Sequence, residues 1–168
     1  MVPELTTERL LLRALRPSDT EAYLALCADA EVMRYVSGEP LGPDDAWRQL
    51  AMLIGHWTLR GFGSWAVEER ATGAFVGRIG LHFPEGWPER EFGWALARGF
   101  WGRGLATEGC AAALAHGFGE LGFSSIISLI HPENRRSRRL AERLGGARTG
   151  TAPLRGHTLD VFAYRDPA

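Results

Sequence analysis

A chain of 168 residues, 45% hydrophobic and 23% charged, has the composition of one globular domain with one main core. Its formal net charge of −1 gives no basic field to displace counterions, which argues against nucleic acid as a general partner. No apolar run approaches the roughly 18 residues of a membrane span, and Met1 to Arg9 lacks the basic-then-apolar pattern of a secretory signal. A cytoplasmic protein without membrane attachment is the expectation.

Thr6 to Ala14 reads as a first strand, and Pro17-Ser18-Asp19 signals the start of a helix carrying Ala22, Leu24, Ala25 and Leu26. A loop from Gly38 to Pro43 leads into a second helix that runs to about Arg60, with Trp47, Leu50, Leu53, Ile54 and Trp57 at helical spacing. Three strands follow, Gly63 to Glu69, Ala74 to Phe83 and Arg90 to Ala97, punctuated by Thr72-Gly73 and by Pro84 to Pro88. A helix is expected from about Gly102 to Gly119, a strand over Ser125 to His131 and a helix over Asn134 to Leu144. Strands near Ala147 to Pro153 and His157 to Tyr164 close the chain. The order β-α-α-β-β-β-α-β-α-β-β implies an α+β fold in a single domain, residues 1–168, with antiparallel hairpins in the middle. The step from Arg90 to His131 should be a right-handed parallel crossover.

The segment Arg98-Gly99-Phe100-Trp101-Gly102-Arg103-Gly104-Leu105-Ala106-Thr107 joins a strand to a helix and holds three glycines. Glycine admits φ > 0 and close approach of a ligand to backbone N–H groups, and a helix N-terminus adds unpaired donors and partial positive charge. Together they suit phosphate. There is no G-K-[ST] ending and no third glycine of the dinucleotide fingerprint, so neither of those loops fits. The helix behind it carries Ala106, Cys110, Ala113, Leu114 and Gly117, a stripe of mostly small residues that lets it pack closely on a sheet. Cys27 and Cys110 stand alone, without C-x-x-C spacing, so no metal site or disulfide is expected.

Glu91-Phe92-Gly93-Trp94-Ala95-Leu96, then Phe100-Trp101-Gly102-Arg103-Gly104-Leu105-Ala106-Thr107-Glu108-Gly109, then Asn134-Arg135-Arg136-Ser137 and Leu144-Gly145-Gly146 resemble the GNAT superfamily of N-acetyltransferases. The branch resembled is that of the ribosomal-protein N-terminal acetyltransferases, and the likeness runs from Thr7-Glu8-Arg9-Leu10 to the last strand. It implies a central, mostly antiparallel twisted sheet of about seven strands, flanked by about four helices. The Arg90–Ala97 and Ser125–His131 strands would be parallel and splay apart. It implies acetyl-CoA as donor, with pyrophosphate on the Gly102–Thr107 backbone (Gly102, Arg103, Gly104, Leu105, Ala106, Thr107), pantetheine beside Leu96 and Ala97, and Gly99 and Trp101 in the same loop. In place of the Gln or Arg usual three residues before the first paired glycine, this chain has Gly99.

Asn134 is a good N-cap and joins the expected coenzyme set. One or two arginines of its helix, best Arg138 or Arg139, are candidates for the 3′-phosphate; the others read as a solvated face. Ser137 falls on the inward face. The tyrosine acid of many relatives is replaced by Ala141, so Ser137 or a water it holds is the group suggested for protonating the thiolate. Candidate bases are Glu91 and His82, then Glu85, Glu89 or ordered water. Trp65, Trp94 and Trp101, with Tyr35 to Pro43, are candidate acceptor-site walls. The function implied is direct acetyl transfer to a primary amine, a peptide N-terminus or a small molecule, in a ternary complex. The alternative is a non-catalytic acyl-CoA-binding or sensor domain. No metal is called for, and either a monomer or a homodimer is compatible.

Overall fold

The computed structural model describes residues 1–154 and 156–166. Eight strands occur in chain order as β1 (Leu5–Thr6), β2 (Leu10–Arg13), β3 (Ser64–Glu69), β4 (Ala74–His82), β5 (Glu91–Leu96), β6 (Ser125–Ile130), β7 (Ala147–Leu154) and β8 (His157–Arg165). They form one sheet in the order β1-β2-β3-β4-β5-β6-β8-β7. Among the described residues five α-helices accompany it: α1 (Thr20–Ala28), α2 (Ala30–Met33), α3 (Pro43–Arg60), α4 (Leu105–Phe118) and α5 (Arg135–Arg143). Every neighbouring pair is antiparallel except β5 and β6, which run parallel and meet at one position, Glu91 opposite Ile127. Beyond it, towards Leu96 and Ile130, the two strands diverge. This is the mixed, mostly antiparallel architecture with one splayed parallel pair that the resemblance implied.

Two counts differ from expectation, each for a local reason. The expected strand over Thr6 to Ala14 is two strands, because Thr7 closes a turn on Leu10. Its N–H donates to the Leu10 carbonyl (2.9 Å) and its Oγ1 accepts from the Leu10 N–H (3.0 Å). Such local bonds compete with a continuous ladder. The additional short helix α2 begins where Asp29 accepts from the N–H groups of Glu31 (3.0 Å) and Val32 (3.4 Å), the work of an N-cap.

The sheet has a helical layer on each face. On one, α4 packs against Leu10, Leu12, Ile79, Leu81 and Phe92. Its small residues Gly109, Cys110, Ala113 and Gly117 are buried, which lets the helix axis lie close to the strands. On the other face α1, α2 and α3 enclose Tyr23, Leu26, Met33, Leu50, Leu53, Ala66 and Ala95. Side-chain alternation therefore sends Arg78, Gly80 and His82 of β4, with Glu91, Gly93 and Ala95 of β5, to the α1–α3 face.

Candidate active site

The splay opens a gap between β5 and β6, and the main chain of β5 points into it. The Ala97 N–H donates to the Val76 carbonyl (2.8 Å), so antiparallel alternation turns the peptide groups of Phe92, Trp94 and Leu96 away from β4. Two of these carbonyls meet side chains: Phe92 accepts from the Ser128 hydroxyl (2.6 Å) and Leu96 from the Trp101 indole N–H (2.8 Å). The main chain of Trp94 lies between them, facing the gap.

On one side of the gap lies a groove of about 960 Å³ between the loop, α4 and α5. Its closed end is the start of α4. Gly102 (φ +74°) and Gly104 (φ +77°) adopt the left-handed conformation, and Gly104 is the N-cap with no side-chain capping bond. The first-turn N–H groups are thus left to an external acceptor, and the helix dipole favours an anion there. Leu96, Trp101, Gly102, Gly104, Leu105, Ala106 and Thr107 line this groove, together with Asn134, Ser137 and Arg139 from the far wall.

Four further residues named from the motif do not. Ala97 spends its N–H on Val76, and Gly99 lies exposed in a 3-10 turn, Arg98–Phe100. Arg103 turns outward to an ion pair with Glu69, and its carbonyl accepts from Arg9 (2.8 Å). Arg138 donates to the Pro132 carbonyl (3.2 Å) and stands 3.7 Å from the buried Asp160. Two steps around a helix are about 200°, so Arg138 leaves the face that Arg136 occupies. Arg135, Arg136 and Arg143 rim the groove instead. The Arg136 guanidinium lies 4.5 Å above the Trp101 ring, and Arg143 donates to the Thr107 hydroxyl (3.1 Å). The arginine-rich sequence of α5 signalled a basic face without saying which members would turn to the groove.

The loop is braced from behind. Glu108, in the first turn of α4, accepts from the Thr7 hydroxyl (2.6 Å), the Arg9 N–H (2.8 Å) and Arg9 Nε (2.7 Å). Burial works to raise its carboxyl, but the bonds from Thr7 and Arg9 outweigh it and hold the group below the usual carboxylate range. Nothing in the glycine-loop motif pointed to this brace.

On the other side of the gap, under α2 and α3, is a cleft of about 460 Å³. His82 and Glu91 stand directly opposite each other on its floor. The Glu91 carboxylate accepts from the Trp87 indole N–H (2.5 Å). His82 stacks on His56 at 5.1 Å and meets the Trp87 ring edge-on at 5.3 Å. His56 lies between the Phe62 carbonyl, 2.7 Å from Nδ1, and the Phe83 N–H, which donates to Nε2 (2.9 Å). It is thereby held as the neutral Nδ1–H tautomer. Glu85 is 2.5 Å from Arg60 at the surface, and neither it nor Glu89 lines the cleft. Of the Tyr35 to Pro43 segment, Tyr35, Val36, Ser37 and Gly38 line the cleft and residues 39–43 do not. Trp94 lines both spaces, Trp101 only the groove. Trp65 is fully buried in the core and donates to the Pro3 carbonyl (2.8 Å). Cys110 is also fully buried, and burial pushes its thiol well above the ordinary range, so it cannot serve as an exposed nucleophile.

The groove and the cleft share Trp94, Asn134 and Ser137 among seven common lining residues. Ser137 is half-buried at this junction, its N–H bonded to the capping Asn134 Oδ1 (3.2 Å). No group of three or more His, Cys, Asp or Glu able to hold a metal occurs among the described residues. None of the described helices is long and apolar enough to cross a membrane.

Residues 9–147 match the family model of acetyltransferase (GNAT) domains. The chain is 30% identical over 155 residues to the uncharacterised N-acetyltransferase YoaA of Bacillus subtilis, covering 89% of this chain and 86% of that protein. The crystal structure of an acetyltransferase from Agrobacterium tumefaciens superposes with a TM-score of 0.91 at 33% identity, covering 99% of this chain and 96% of that one. RimL, the ribosomal L7/L12 α-N-protein acetyltransferase solved with coenzyme A, shares the fold at 15% identity and a TM-score of 0.78, over 97% of this chain and 98% of that one. On its motif order, its splayed sheet and a family match that spans most of its length, the chain belongs to the GNAT acetyltransferase family.

Proposed function

We propose that the protein transfers acetyl from acetyl-CoA to a primary amine by direct attack, the groove holding the donor and the cleft the acceptor. The observation that carries this reading is the junction: a groove at an uncapped helix N-terminus and a carboxylate-bearing cleft share the residues Trp94 and Ser137. The groove suits the donor because it pairs an uncapped helix N-terminus with arginines, the partners of a pyrophosphate and a further phosphate. Each charge-assisted hydrogen bond there contributes roughly 1.5–3 kcal/mol.

Acetyl-CoA, when bound, supplies an activated acetyl thioester. The amine nitrogen forms the new C–N bond, the C–S bond breaks, and the proton given up by nitrogen is balanced by one delivered to the departing sulfur. An alkyl amine with pKa near ~10.4 is protonated at neutral pH, and removing that proton costs roughly 4–5 kcal/mol. Glu91, with His82 opposite, is the base, reached directly or through water. The Trp87 indole orients the Glu91 carboxylate. The β5 main chain around Trp94 and Leu96 faces the thioester oxygen and meets its developing charge. Ser137, or water held by it, returns the proton to sulfur, since Ala141 is buried and carries no acid. A non-catalytic acyl-CoA-binding domain would need the groove but not a carboxylate opposite it.

Acetyl-CoA and a broad amine panel should release free thiol with at least one amine. Tight CoA binding with no thiol release from any amine would sink the catalytic reading.

A further inference from the structure

Three arginines among the described residues are withdrawn from solvent: Arg13, Arg78 and Arg138. Arg13 pairs with Asp19 (2.8 Å) and Glu68 (2.7 Å), and Arg138 approaches Asp160. Arg78 forms no salt bridge with a carboxylate among the described residues. It lies half-buried on the floor of the cleft. What faces it is the Tyr23 hydroxyl, which donates to Gln49 Oε1 (2.6 Å). Burial pushes the Tyr23 phenol well up, so that neighbour stays neutral and supplies no counter-charge. A partly desolvated cation without an anion is costly unless one arrives from outside.

The cleft is also polarised along its length. Arg78, Gly80 and His82 on β4 share a face with Glu91, Gly93 and Ala95 on β5. Arg78 and His82 are four residues apart, roughly 13 Å along the strand, with Glu91 opposite His82. Between the ends the floor is open at Gly93, where a Cβ would meet nothing within 4 Å, whereas Gly80 opposite it lies against the Gly63–Ser64 backbone. Arg34 and Glu133 line the cleft from exposed positions; on the floor, a guanidinium at one end and a carboxylate at the other complement a molecule with an amine at one end and an anion at the other. Arginine recognises a planar carboxylate through paired N–H donors.

We infer that the acceptor is a small amine that also carries a carboxylate, its carboxylate held by Arg78 and its amine presented towards Glu91 and the junction. This rests on the reading of the cleft as the acceptor site. The cleft volume, about 460 Å³, lies in the range of small-molecule sites.

The test is initial-rate thiol release by the full-length protein with acetyl-CoA and matched acceptors: α- and ω-amino acids of increasing length, each beside its own carboxamide. At least one acid should exceed its amide in kcat/KM by tenfold or more. Arg78→Gln should lower kcat/KM of that acid at least tenfold, chiefly through KM, and that of the amide less than threefold. Arg78→Lys, which keeps the charge, should recover part of the preference and guards against a merely misfolded variant. Amides used as well as acids, or a preference for the acid that survives Arg78→Gln, would overturn the inference and leave acetyl transfer standing. Silence with every amine would overturn both.

Discussion

At the scale of single residues, the cleft floor distinguishes among the candidate bases. Glu85 is spent on Arg60 at the surface, whereas Glu91 is oriented by Trp87 on the cleft floor. Glu91→Gln keeps the shape and removes the base, so kcat should fall roughly 100-fold or more while CoA affinity changes by less than threefold. Calorimetry alongside steady-state rates separates the two; a loss confined to CoA binding would remove Glu91 from the chemistry. Among the α5 arginines, Arg139 lines the groove and Arg138 does not. Arg139→Ala should weaken CoA binding about tenfold, or ~1.4 kcal/mol, whereas Arg138→Ala should leave it within twofold. Equal losses from both variants would show that α5 presents a diffuse field rather than a placed cation. A helical wheel assigns each arginine an angle, but the buried Asp160 that draws Arg138 away lies on β8, 22 residues along the chain.

At the scale of elements, the start of α4 was the most legible feature. Its glycine spacing foretold a loop with φ > 0, and Gly102 and Gly104 adopt it. Gly104→Ala forces a side chain into that conformation at a cost of about 1–2 kcal/mol, which should appear as weaker CoA binding together with a lower melting temperature. An unchanged CoA affinity would show that the helix N-terminus is not the phosphate site. Further along α4, a Cβ on Gly109 would stand 2.7 Å from Ile79 Cδ1 and 3.2 Å from Leu10 Cδ1. Gly109→Leu should therefore overpack the sheet contact and destabilise by about 1–3 kcal/mol, as measured by denaturant unfolding. The small-residue stripe was readable because its spacing repeats within one helix. The Glu108 brace was not, since its partners Thr7 and Arg9 come from a hairpin about a hundred residues earlier.

At the scale of the whole molecule, three carboxylates hold elements of the fold together, Glu69 and Glu108 across long stretches of chain and Asp19 locally. Asp19 is buried, which works to raise its carboxyl, but Arg13 and the Arg16 N–H hold it below its ordinary value. Glu69 is lowered by Thr72 and Arg103, and Glu108 by Thr7 and Arg9. A carboxyl whose folded pKa is depressed contributes stability above its unfolded value, near ~4, and loses it as pH falls through the folded one. Melting temperature should thus be flat with respect to these groups above about pH 5 and fall steadily below pH 4. Asp19→Asn should shallow that fall while lowering stability at neutral pH; an unaltered acid limb would contradict the Asp19 assignment.

What the amino-acid order determined by itself was the mixed architecture, the glycine-rich, uncapped start of α4 and the inward place of Ser137. Each is written in spacings of a few residues, through backbone conformation, capping and helical or strand periodicity. The tertiary structure alone decided which arginines rim the groove, that Arg103 faces outward, that Glu91 stands opposite His82, and that Arg78 lies in the cleft without a salt bridge to a carboxylate of the described residues. Those outcomes depend on register between strands and on partners far along the chain, where burial and ion pairing, rather than local preference, choose the direction of a side chain.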